Sequence, residues 1–226
     1  MISIEFIYKI FLFYLPLLFS LCVHEWAHGW MAQKRGDLTA YYHGRLTLNP
    51  LAHMDFIGTF FLPLFFLAFS SPLFFGWAKP VPVDESNLKD PKRDLFWIAL
   101  AGPLSNFILA FVGAFFMSFF YIAQLKGIEL KASFFQVGEV FIFMNLLLGF
   151  FNLIPLHPLD GGKVLARFLP NSWNHFLENQ KYYMSFLLIF LVISGAFHYI
   201  SKPLLVIAAA MIKMSQVFAI FVINIL

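Results

Sequence analysis

Five stretches of this chain, residues 4–31, 95–122, 137–154, 182–200 and 204–225, are apolar for long enough to cross a bilayer. About 20 predominantly apolar residues span the hydrocarbon as a helix. In lipid such a run must satisfy its own backbone hydrogen bonds, which selects the helix. A soluble domain carries about 25% charged residues, whereas here 12% of 226 residues are charged and 61% are hydrophobic. The medium around most of the chain is therefore lipid. The expected fold is an all-α polytopic membrane protein with five to six transmembrane helices, forming a single domain over residues 1–226.

A sixth apolar run, residues 56–75, is interrupted by Pro63, Ser70, Ser71 and Pro72. It leads into Gly76-Trp77-Ala78-Lys79-Pro80-Val81-Pro82-Val83, which cannot be helical: Pro80 and Pro82 lack donors and push their predecessors to extended geometry. A re-entrant or extended segment is expected after the first helix. Cys22 is the single cysteine, so no intrachain disulfide is possible. It lies in an apolar run and reads as a small buried hydrophobe. The first run, with Lys9 ahead of its apolar stretch, lacks a small-residue cleavage site and reads as a retained helix. The net charge of +3 is modest and its basic residues lie in loops, a topology signal and not a nucleic-acid one.

His24-Glu25-Trp26-Ala27-His28 places two imidazoles at i and i+4 on one helical face, where one metal ion can take a nitrogen from each. Glu25 follows the first histidine, where its carboxylate can take a proton from a water on the metal. The pattern arises by chance in about one such chain in two hundred. Ionisable residues inside a membrane helix are costly and by default functional.

A hydrolytic zinc site wants three protein ligands and one open position. The best third ligand is Asp160, in Asn152-Leu153-Ile154-Pro155-Leu156-His157-Pro158-Leu159-Asp160-Gly161-Gly162. Pro155 and Pro158 break the preceding helix and the two glycines let the backbone turn beside the acid. A plain surface turn is the alternative for Asp160. His157, as ligand or substrate-pocket residue, and His43 and His53, in the stretch after the first helix, compete for the third position.

Three elements together resemble the site-2 protease family of intramembrane zinc metalloproteases: the His24-Glu25-x-x-His28 motif, Ala101-Gly102-Pro103-Leu104-Ser105-Asn106, and Asn152-x-x-Pro155-x-x-Pro158-Leu159-Asp160-Gly161. Gly44-Arg45-x-Thr47-Leu48-Asn49-Pro50 and the 76–83 segment are similar to its compact bacterial branch, without PDZ or CBS domains. The resemblance implies one zinc held by His24, His28 and Asp160, with Glu25 as general base, and a site shaped by Asn106 and Asn152. It implies a catalytic core over about residues 4–165, with two accessory helices within 182–226. It also implies a bacterial inner or plasma membrane location and transmembrane proteins as substrates.

One metal needs His28 and Asp160 at one depth, so the helices that precede them must run parallel. Parallel helices require an even number of reversals between them, and residues 56–75 must therefore rise and return. Charge gives the orientation. With the metal side in the cytoplasm, Lys34, Arg35, Arg45, Lys79, Lys89, Lys92, Arg93, Lys163, Arg167 and Lys181 lie inside, and Lys126, Lys131 and Lys202 outside. That asymmetry obeys the positive-inside rule.

The expected chemistry is metal-assisted amide hydrolysis within or beside the bilayer, with an unwound substrate strand pairing to residues 76–83. Two other readings stand beside it: a zinc-binding membrane transporter, and a catalytically inactive scaffold that binds client helices. The near absence of acidic residues from the other spans weighs against the first. The intact Glu25 weighs against the second.

Overall fold

A computed structural model of the chain describes residues 3–71, 74–195 and 197–225. Every regular element among them is helical. Among the described residues, four helices are long and apolar enough to span a membrane: α1 (Ile4–Arg35), α3 (Pro91–Leu125), α4 (Ala132–Asn152) and the Ser201–Ile225 part of α8 (Phe197–Ile225). Between them lie α2 (Phe56–Ala68), α5 (Asp160–Ala166), α6 (Asn171–Asn179) and α7 (Lys181–Ile193). α1 contains a π-helical turn at Ile10–Tyr14, just ahead of Pro16, where a proline cannot supply an ordinary helical donor.

The apolar run 182–200 does not form one span. α7 has 13 residues, about 20 Å of helix, against roughly 30 Å of hydrocarbon. The chain then turns at Ser194-Gly195, where Gly195 has φ of 77°. Hydropathy cannot register a left-handed glycine inside an apolar run.

α3 is the central helix and packs against α1, α4, α5 and α8. The seam is built of small and flexible side chains: Ala110, Ala114, Met117, Ile142, Leu146, Ala208 and Met211 are all buried. Lipid supplies no hydrophobic drive for helices to associate, so close packing and interhelical hydrogen bonds must hold the bundle. Ser215 Oγ donates to the Ala114 carbonyl across this seam at 2.6 Å. The outer face of α3 presents Phe111, Phe115, Phe116 and Phe119, all exposed, as a helix side in lipid should.

The segment after α1 rises and returns. Asp55 caps α2, its Oδ1 accepting from Ile57 N (3.0 Å) and Gly58 N (2.7 Å). α2 climbs beside the first half of α1, and Ser70 at its far end meets Lys9 (2.8 Å). The run's Pro72 and Leu73 lie outside the described residues. Residues 74–83 come back extended, with Trp77 N donating to the Gly58 carbonyl (3.1 Å) and Lys79 N to the His53 carbonyl (2.9 Å). They lie along α1, Phe74 against Phe13 and Val81 against Glu25. Because the excursion closes on its own side, α1 and α4 run parallel. Tyr8 is bonded to Gln136 near their starts, and Phe19 meets Phe141 further along.

Candidate metal centre

The metal side of the bundle is marked by aromatic and basic side chains. Trp26 stacks on Trp30, Lys34 lies over the Trp30 ring, and Arg35 sits over Trp97 and pairs with Asp94 at 3.5 Å. Trp and basic residues settle where hydrocarbon meets headgroups. His24 and His28 flank Trp26 on α1, about two to three turns below Lys34 and Arg35, on the face turned to α3. Both are buried.

Three atoms converge there. His24 Nε2 and His28 Nε2 are 3.0 Å apart, and Asp160 Oδ2 lies 3.1 Å from the first and 3.2 Å from the second. Among the described residues, this is the one group of histidine, cysteine and acidic side chains close enough to share a metal ion. Four-coordinate zinc with bonds of about 2.0–2.2 Å sets its ligand atoms roughly 3.4 Å apart, and the observed triangle falls within a few tenths of that.

The chemistry of the donors points the same way. His28 Nδ1 lies 2.7 Å from the Ile98 carbonyl, which can only accept, so that nitrogen carries the proton. His24 Nδ1 is 2.6 Å from Asn106 Oδ1, with the same consequence. In the neutral form each ring then turns an Nε2 lone pair towards a carboxylate oxygen that has no hydrogen-bond donor of its own. Three electron pairs facing one another in a buried space repel unless a cation joins them. The residues present thus fit a divalent metal.

Two glycines make the convergence possible. A Cβ on Gly102 would lie 2.4 Å from His28 Nε2 and 2.7 Å from His24 Cε1, so α3 can approach the two rings only without a side chain there. A Cβ on Gly161 would meet the Ile154 carbonyl oxygen at 2.3 Å, so α5 can begin beside the broken end of α4 only as glycine. This packing brings Asp160, the first residue of α5, up to the histidines.

Glu25, one residue along α1, points to the extended segment, where its Oε2 accepts the Val81 N–H at 2.8 Å. Asn106 is fully buried beside His24. Asn152 turns to its own helix, donating to the Leu148 carbonyl at 3.0 Å. The His157 Nε2 is buried without a hydrogen-bond partner. Burial pushes His157 below its ordinary pKa; Glu178 opposes that and Lys163 adds to it. The structure does not bring His43 or His53 to the cluster. His43 is exposed, and His53 Nε2 is held by the Thr47 carbonyl at 2.8 Å. Sequence reasoning passed over Asn145, buried opposite Asn106. The one available signal was an amide in an otherwise apolar span.

The profile of Peptidase family M50 matches residues 117–194. YwhC of Bacillus subtilis (strain 168), provisionally named a zinc metalloprotease, is 34% identical over 195 residues, covering 84% of each chain. Stage IV sporulation protein FB of the same organism is 29% identical over 67% of this chain and 48% of its own length. Rip2 of Mycobacterium tuberculosis, also provisionally named a zinc metalloprotease, is 29% identical over 78% of this chain and 63% of its own. No solved structure matches the chain. With a relative this similar across most of both lengths, the chain belongs to peptidase family M50, the site-2 protease family of zinc metalloproteases.

Proposed function

We propose that this chain is an intramembrane zinc metalloprotease that hydrolyses peptide bonds in or beside the transmembrane segments of other membrane proteins. In this reading one zinc is held by His24, His28 and Asp160, Glu25 is the general base, and the site opens to the cytoplasmic face of a bacterial inner membrane. The observation that carries it is the buried triangle of three acceptor atoms, with a carboxylate one residue from the first ligand.

Bound zinc supplies a Lewis acid for the scissile carbonyl and lowers the pKa of a water towards neutrality. The rest falls to the chain. Asp160 adds negative charge to two neutral imidazoles. Glu25 takes the proton from the attacking water and gives it to the leaving nitrogen. The Val81 N–H bond holds this base to the segment along which substrate would lie. A helix hides its amides, so the substrate must unwind, and an unwound strand can add to residues 76–83. The N–H groups of Trp77, Lys79 and Val81 are already taken by Gly58, His53 and Glu25. The incoming strand therefore uses the other edge, which carries Pro80 and Pro82. His157 is the side chain of the Asp160 loop left to meet substrate.

Zinc content of the full chain purified in detergent tests this reading. Wild type and Glu25→Gln should each retain about one zinc and Asp160→Ala much less, while Glu25→Gln should cleave no membrane-tethered substrate. Equal zinc in all three would overturn the ligand set. Orientation is tested by a cysteine at Thr47 in a Cys22→Ala background. An impermeant thiol reagent should reach it only from the cytoplasmic side.

A further inference from the structure

The His24 ring is the end of a chain of amides that begins on a backbone carbonyl. Asn145, in the middle of α4, is fully buried and donates through Nδ2 to the Phe141 carbonyl of its own helix at 2.9 Å. A carbonyl can only accept, so this bond fixes which end of the Asn145 amide is nitrogen. Its Oδ1 must then face α3, where it accepts from Asn106 Nδ2 at 3.0 Å. Asn106 Nδ2 also lies 3.4 Å from the Ser20 carbonyl, the backbone of α1 one turn before His24. With its nitrogen directed there, Asn106 can offer only Oδ1 to His24 Nδ1, at 2.6 Å. His24 Nδ1 must carry a proton, which in the neutral ring leaves Nε2 as the lone pair towards Asp160. Each assignment forces the next, and the starting point is a peptide carbonyl that has no alternative state.

We propose that Asn145 is a positioning residue for the metal centre: acting through Asn106, it fixes the amide orientation that sets the tautomer and aim of His24. It touches neither metal nor substrate. The burial of two amides in apolar helices is costly unless both are fully paired, and this chain pairs them. Partners that orient metal-ligating histidines typically change metal affinity by 10–100-fold when removed. This inference rests on the zinc reading above.

The test is zinc affinity of the full chain in detergent, by competition with a chromogenic chelator. Asn145→Leu, close in size and without an acceptor, should weaken zinc binding by about 10–100-fold. Asn145→Asp, whose protonated carboxyl can offer a hydroxyl to Phe141 and an oxygen to Asn106, should restore most of that loss. If Asn145→Leu does not fold, Asn145→Ser, whose hydroxyl is too short to reach Asn106, gives the same comparison. The double variant Asn106→Leu/Asn145→Leu should bind no more weakly than Asn106→Leu alone, because one residue acts through the other. Unchanged affinity in Asn145→Leu, or losses that simply add, would overturn the proposal while leaving the ligand set standing. Absence of zinc from the wild type would instead overturn the metal reading itself.

Discussion

Glu25 and Val81 are joined by a 2.8 Å hydrogen bond from a backbone N–H on the extended segment to a carboxylate oxygen on α1. The donor lies between Pro80 and Pro82, neither of which has an N–H to offer. The Glu25 carboxylate is therefore held by the single donor that the proline-flanked stretch retains. Val81→Pro deletes that donor while keeping the extended backbone. A lost hydrogen bond to a charged group is worth roughly 1.5–3 kcal/mol, so cleavage should fall by about tenfold or more with zinc content unchanged. Val81→Ala, which keeps the N–H, should cleave near the wild-type rate.

Glu25→Gln should separate binding from chemistry. The amide cannot accept a proton from water, and loss of a general base typically costs about 10²–10⁴ in rate. Because Glu25 is not one of the three converging groups, its substitution should leave zinc content intact. Parallel assays of metal content and substrate cleavage read the two effects.

Gly102→Ala should weaken metal binding. The added methyl would sit 2.4 Å from His28 Nε2 and must displace a ring. Zinc affinity should fall by more than tenfold even though alanine suits a helix better than glycine. Chelator competition checks the first statement and thermal unfolding in detergent the second.

Asp37 lies beyond the end of α1 and is fully buried. Burial raises its pKa, but bonds from the Thr39 hydroxyl, Asn87 and the Asp84 and Thr39 N–H groups outweigh that and hold it below the ordinary 3.8. A carboxyl lowered on folding stabilises the folded state above its unfolded value, and that contribution is lost as pH falls through the folded value. Asp37→Asn should therefore lower the unfolding midpoint most at neutral pH. The gap to wild type should close below about pH 3.8, as followed by thermal melts across pH.

Much of this architecture is legible in hydropathy and spacing. α1, α3 and α4 lie where the apolar runs are, because length and lack of charge are what lipid selects. The rise and return of residues 56–83 follows from parity, since His28 and Asp160 have to share a depth. The two histidines and Glu25 are legible because i and i+4 on a helix is a local geometry. The division of residues 182–200 is not, because it hinges on the backbone angle of Gly195. Nor is Asn145: its partner is 39 residues away and on another helix, so no spacing announces the pair. The clearance at Gly102 is likewise a relation between helices and leaves no local pattern.

His28 and Asp160 stand 132 positions apart (160 − 28), one on the first helix and one just past the fourth. A nascent chain that has inserted only α1 to α4 holds both imidazoles and Glu25, yet lacks the carboxylate that converges on the two rings. With the proposed ligand set, tight zinc loading has to wait until residue 160 has left the ribosome and α5 has packed against α3. On that ligand set the chain gains its metal, and with it its chemistry, only after its first four long apolar segments have been made.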